Sequence, residues 1–301
     1  MSIQASPAVV RAGQVLRHLA AHPTRAFSVS ELARQVGIPR ATCDSLLLGL
    51  AKSAFVRRDD ARRYSLGPGG IALGDAFRAA NPALRAASVH AATLARAHST
   101  VTAVSLRAGD EARVTDVFDF GPPFGLRPRP GEWISIVPPF GASLVAWDEE
   151  AVEQWLQRAQ PSLNKAEIHR YRVAIDRVRR RGYSVTLASE RQQEFAEAVE
   201  RAADQPEVDE MQRRRDQAVQ ALAHSDYLAV DIDPDRPVRL TQVSAPVFEA
   251  DGTVTVSIML LGPNHDVTAS EIAVVGDLVV GAAAAATRDI GGSTRGQRPA
   301  L

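Results

Sequence analysis

The chain has 301 residues, enough for two domains with separate cores, and its 45% hydrophobic and 23% charged content is that of an ordinary globular protein. Basic and acidic residues balance at 35 each, but residues 1–74 hold ten Lys and Arg against four acids, so a head of charge +6 precedes a body of −6. That asymmetry suits one face meeting a polyanion. It excludes a uniformly basic binder, and the single Cys43 excludes an intrachain disulfide.

The first predicted helix is Pro7–Ala21, with Val10, Val15, Leu16 and Leu19 as candidate core contacts and His22-Pro23-Thr24 as its stop. Ser28-Val29-Ser30-Glu31 is an S-x-x-E capping box, which starts a second helix. Gly37 permits the positive φ that ends it, and Pro39 suits the first turn of the next. Cys43, Leu46, Leu47 and Leu50 then recur at i, i+3, i+4 and i+7, an apolar stripe facing a core. Cys43 is thereby a small core residue rather than a redox sensor. Arg40, Ala41, Thr42, Asp44, Ser45, Leu48 and Lys52 are left on the open or flanking face.

After Ser53 the period becomes alternating. Phe55–Arg58 and Arg63–Leu66 read as strands around an Asp59-Asp60-Ala61-Arg62 turn, with Arg57, Arg58, Arg62 and Arg63 at the rim. Helix, turn, helix and basic hairpin in this order form a winged helix-turn-helix over residues 1–67. One helix can enter a major groove while the arginines hold flanking phosphates. Candidate DNA-binding residues are Arg40, Thr42, Asp44, Ser45, Arg57, Arg58, Arg62 and Arg63.

Gly67-Pro68-Gly69-Gly70 punctuates the chain, Ile71–Ala80 reads as a linker helix within 68–80, and Asn81-Pro82 opens a second domain spanning 81–290. Its expected elements are a helix over Ala83–His98, a hairpin of Val101–Arg107 and Ala112–Asp119, and a Pro- and Gly-rich loop over 121–133. A short strand at Ile134–Val137 and helices at Gly141–Trp147, Glu149–Ala159 and Lys165–Arg181 follow, the last ended by Gly182. A strand at Tyr183–Leu187, a hairpin of Val243–Glu249 and Thr253–Leu260, and a helix over Ala269–Arg288 complete it. Residues 291–301 read as a polar, disordered tail. The fold class is α+β, with helices flanking a mainly antiparallel sheet.

The stretches LARQVGIPRATCDSLLLGL (32–50), FVRRDDARRYSLGPGGIALG (55–74), LRPRPGEWISIVPPFGASLVAW (126–147), RRRGYSV (179–185) and VSAPVFEADGTVTVSIMLLGP (243–263) resemble motifs of the isocitrate lyase regulator (IclR) family of bacterial transcription factors. The resemblance implies an N-terminal winged helix-turn-helix and a C-terminal effector domain related to the GAF fold. It implies a homodimer or homotetramer on a palindromic double-stranded operator, joined through the first and linker helices. It also implies a small organic or aromatic acid as effector, and repression rather than activation as the family's habit. In two places the chain departs from the family pattern. Ser45 stands where a basic residue is common, and Leu48 points outward where a smaller residue is common. Asp44 could accept from a cytosine amine or repel phosphate. In addition, residues 189–226 form a charged insertion, either a solvated surface helix pair or a lid or oligomer contact.

For the effector, the turn Phe140-Gly141-Ala142-Ser143 opens a helix whose free N–H groups suit an anion. Phe124, Trp133 and Phe140 are candidates for an apolar wall, Arg127 or Arg129 for a carboxylate partner, and Ser257 and Met259 share a strand face. No cofactor or metal is expected. The seven histidines are scattered, and Asp231, Asp233 and Asp235 around Pro234 read as a solvated loop. No phosphate loop or G-x-S-x-G nucleophile motif appears, so an enzyme is not expected. The N-terminus lacks a signal-peptide pattern, and the apolar stretch Ile272–Thr287 is too short for a bilayer and contains Asp277. The expected location is the cytoplasm, away from membranes. The competing reading is a DNA-binding regulator whose C-terminal domain serves only oligomerisation or a protein partner.

Overall fold

The computed structural model describes residues 5–122, 128–188 and 228–293. They fall into two compact units, divided in sequence between Ala80 and Asn81. The expected insertion at 189–226 lies outside the described residues, as does the tail from 294 onward.

The first unit contains α1 (Pro7–Ala21), α2 (Val29–Val36), α3 (Arg40–Lys52), β1 (Val56–Arg58), β2 (Tyr64–Leu66) and α4 (Gly69–Ala79). The capping box starts α2: the Ser28 Oγ accepts from the Glu31 N–H at 3.3 Å, and the Ser28 N–H donates to the Glu31 carboxylate at 2.7 Å. Gly37 ends the helix in the left-handed region at φ 69°. Pro39 caps α3 from an extended position, ψ 139°, rather than sitting inside its first turn. Val15, Leu19, Phe27, Leu32, Cys43, Leu47, Val56 and Tyr64 form the core. Phe27 adds a one-residue bridge to β2, exchanging backbone hydrogen bonds with Tyr64 at 2.9 and 2.7 Å. Val10 is not part of this core and is 46% exposed. Five residues before Val15, it points about 140° round the helix from the buried stripe. Gly69 and Gly70 do not precede α4 but form its first turn.

The second unit contains α5 (Pro82–Ala97), β3 (Val101–Ala108), β4 (Glu111–Asp119), β5 (Trp133–Ser135) and α6 (Ala142–Val145). It continues with α7 (Glu149–Gln157), α8 (Lys165–Arg181), β6 (Ser184–Leu187), β7 (Val238–Phe248), β8 (Val254–Leu261), β9 (Asp266–Val267) and α9 (Ala269–Asp289). The strands form one antiparallel sheet in the order β5-β4-β3-β8-β7-β6, with β9 on β7. β7 starts five residues earlier than the pattern predicts, because Leu240 pairs with Leu187 on β6 and Val238 with Val267 on β9. β9 itself carries no local signal.

Alternation gives the sheet two unlike faces. Val104, Leu106, Val243, Ala245, Val247, Val256, Ile258 and Leu260 pack with α5 and α9. On the other face, α6, α7 and α8 cluster around Ile136, Trp155, Tyr171, Ile175 and Val178, together with Phe248 and Val254. α9 has 21 residues and is long and apolar enough to cross a membrane, so the expectation that this stretch is too short does not hold. In this fold Ile272, Val279, Ala283 and Ala286 bury one side of it in the core.

Candidate nucleic-acid interface and ligand face

In α3 the stripe reading holds: Cys43 and Leu47 are fully buried, and Leu46 and Leu50 pack half-buried beside them. Burial pushes the Cys43 thiol up to about 11, reinforced by the Asp44 charge, so it stays protonated. Arg40, Asp44 and Ser45 are exposed, and Thr42 is half-buried at the flank.

The four wing arginines are all exposed, but they are not equivalent. Arg63 pairs with Asp59 at 3.1 Å, while Asp59 also accepts the Arg63 backbone N–H at 2.7 Å and closes the turn. These bonds hold the Asp59 carboxyl below the usual carboxylate range. Arg57 donates to Ser65 Oγ at 3.0 Å, which lays it along the hairpin. The Arg58 guanidinium stands 5.6 Å from the centre of the Tyr64 ring. Arg62 sits in the turn with φ 61°. A pattern of four arginines shows none of this division, because Asp59 reads equally well as a solvated turn residue.

In the second unit, Phe124 and Arg127 lie outside the described residues, and Trp133 is placed in β5, opposite Arg113 of β4. The expected helix Gly141–Trp147 is a single turn, α6. One turn has little macrodipole, so an anion there must rely on individual N–H groups. Phe140 is half-buried; its own N–H donates to the Val137 carbonyl at 2.7 Å, and its carbonyl accepts from Trp155 Nε1 at 2.7 Å. Gly141 adopts φ 79°, and a Cβ there would lie 2.8 Å from Ile136 Cγ2, so only glycine fits. Ala142 and Ser143 are buried. Trp147 donates to the Ser143 carbonyl at 2.9 Å and meets Phe248 edge-on at 5.1 Å. Trp155, Trp147 and Phe248 are thus the aromatics tied to this turn, and sequence reasoning missed them.

Ser257 and Met259 do share a face, the one that also bears Phe248. Ser257 is buried, and its hydroxyl meets that of Ser105 at 2.8 Å. Register extends the pattern: Ala103, Met259, Ser244 and Ser184 form one row, and Leu261, Gln242 and Thr186 the next. Ser184 and Thr186 donate to the carbonyls of Ser244 and Gln242 at 3.5 and 3.4 Å. The second sheet face is therefore a neutral floor of small hydroxyls around Met259.

Among the described residues no group of three metal-ligating side chains converges. In the acidic loop, Asp231 pairs with Arg177 at 3.0 Å, and Asp233 accepts the Asp235 N–H at 2.9 Å.

Residues 8–60 match the model of the IclR helix-turn-helix domain. No curated protein matches the chain in sequence. Among solved structures, an IclR transcriptional regulator of Alicyclobacillus acidocaldarius superposes with a TM-score of 0.64 at 20% identity, covering 95% of this chain and 99% of that one. Thermotoga maritima IclR gives 0.57 at 17%, covering 94% and 98%. An IclR homologue of Microbacterium hydrocarbonoxydans, complexed with 4-hydroxybenzoate, gives 0.62 at 14%, covering 94% and 98%. At these identities the likeness is one of fold.

Proposed function

We propose that the chain is a DNA-binding transcriptional regulator of the IclR family, as its helix-turn-helix match over residues 8–60 and its fold support, and that it is a ligand-responsive repressor acting in the cytoplasm on a palindromic operator. The observation that carries this reading is the open side of α3 beside an arginine-bearing hairpin. Arg57, Arg58 and Arg62 supply phosphate contacts, with Arg63 partly compensated by Asp59. Arg40, Thr42, Asp44 and Ser45 are the proposed groove-facing and flanking positions.

The proposed effector is a small organic or aromatic acid held between the Phe140–Ser143 turn and the hydroxyl floor at Ser257 and Met259, with Phe124, Arg127 and Trp133 as further candidates. The 4-hydroxybenzoate in a protein of the same fold favours this class. The effector acts by binding two forms of different operator affinity unequally. A homodimer or homotetramer through α1 and α4 is supported by their exposed apolar side chains: Val9, Val10, Ile71, Leu73 and Phe77 are all at least 46% exposed.

Gel shift with the chain's own upstream region tests DNA binding. Arg57→Ala/Arg58→Ala, with an unchanged circular dichroism spectrum, is expected to cut affinity and to reduce the log–log salt slope by about 2. An unchanged slope removes the wing from the interface. A thermal-shift screen with benzoate, 4-hydroxybenzoate and pyruvate tests the effector: saturable stabilisation supports it, and a flat response from all three favours a C-terminal domain that serves assembly alone.

A further inference from the structure

The middle of the open side of α3 carries an exposed leucine where an arginine or lysine would be expected to read bases. At 100° per residue, Ala41, Ser45, Leu48 and Lys52 fall within about 60° of arc, opposite Cys43 and Leu47. All four are exposed, and Leu48, at 52%, is the one large apolar side chain of α3 turned to solvent. Arg40 and Thr42 stand to either side of this row, about 100° round the helix from its middle.

We propose that Leu48, with Ala41, reads thymine C5-methyl groups in the major groove and is the main specificity-determining residue of this helix. The inference rests on the DNA-binding reading above and names the sequence class. An exposed leucine loses unfavourable hydration when it meets another apolar surface, and the thymine methyl is the apolar group on a major-groove base edge. Ala41 and Leu48 are seven residues apart, about 10.5 Å along the axis, which matches roughly three base steps of 3.4 Å. Ser45 between them offers one hydroxyl and cannot hold guanine bidentately. Lys52 continues the row one turn further, where an ammonium meets phosphate. The charge of the unit suits this occupant: Arg40 and Lys52 lie on α3 itself, the hairpin that follows carries four exposed arginines, and Asp44 is the one acid of α3.

The test uses the full chain. Tight-binding duplexes are selected from a randomised pool, and the preferred one is remade with deoxyuridine for thymidine, which removes the methyl and keeps the base pair. Affinities are measured at fixed salt. The wild type is expected to lose about fourfold per contacted methyl. Leu48→Ala is expected to bind the two duplexes alike at that position, while Leu48→Met keeps the discrimination. The proposal is overturned if the wild type binds both duplexes equally. It is overturned too if Leu48→Ala keeps the wild-type ratio, including the case where it changes only the oligomeric state by light scattering, which makes Leu48 a contact between copies. A chain that retains no duplex at any salt overturns the DNA-binding reading itself, a result distinguishable from the others.

Discussion

The two units carry their chemistry in opposite places. In the first, one small cluster under α1, α2 and α3 holds the shape, and the groups proposed to meet DNA are exposed. In the second, the hydroxyls of the proposed ligand face are built into the sheet, with Ser105 5% and Ser257 1% exposed. An outward residue such as Arg58 or Leu48 can change without repacking anything. Ser257 cannot, because it is buried and bonded to Ser105, so on the proposed ligand face specificity and stability would be the same variable.

The largest test of this contrast is Leu47→Ala. Leu47 is fully buried in the small cluster, and its loss should cost about 3 kcal/mol. All three tryptophans, Trp133, Trp147 and Trp155, lie in the second unit, so their fluorescence reports that unit alone. Operator binding should fail at a lower temperature while the fluorescence transition stays in place. A shift of both together would mean that the units do not melt separately.

Acid provides the next test. His18 is buried against His22 and Phe27, both at 4.8 Å, with its Nε2 buried and lacking a hydrogen-bond partner. Burial, with the charges of His22 and Arg25, lowers it from 6.5 to about 4. The neutral ring is the folded form, so the unfolded chain binds the extra proton. Stability of the first unit should be full above pH 6.5, fall as the pH drops toward about 4, and level off below; the loss should be at most about 3 kcal/mol. His18→Leu should flatten that window. A wild-type profile already flat between pH 6.5 and 4 would sink this account.

The comparison also explains what could be read from the chain. Local chemistry was legible: the Ser28–Glu31 box starts α2, and Lys165–Arg181 runs to the Gly182 stop as the pattern predicts. The alternation that put Ser257 and Met259 on one face was legible too. Their partners were not. Ser105 lies 152 residues from Ser257, and the Trp155 indole that fastens the Phe140 carbonyl comes from another helix. Neither leaves a trace in a periodicity. The early start of β7 was missed for the same reason: it is set by β6 and β9, neighbours distant in sequence. On the first unit the outward place of Ser45 was legible from the stripe, while Leu48 stands out only through its exposure.

The smallest effect is the most discriminating. Ser105→Ala or Ser257→Ala removes one hydroxyl and leaves its buried partner unsatisfied, a cost of about 1–2 kcal/mol. Removing both should cost less than the two single changes added, because no orphan remains. If the pair serves packing alone, the double variant should bind benzoate as the wild type does. If the hydroxyls form the ligand floor, it should regain stability and still bind benzoate more weakly. Calorimetric stability and benzoate affinity on the same four proteins separate the two. A double variant with both values at wild-type level would place the ligand face elsewhere and leave the second unit's interior as structure only.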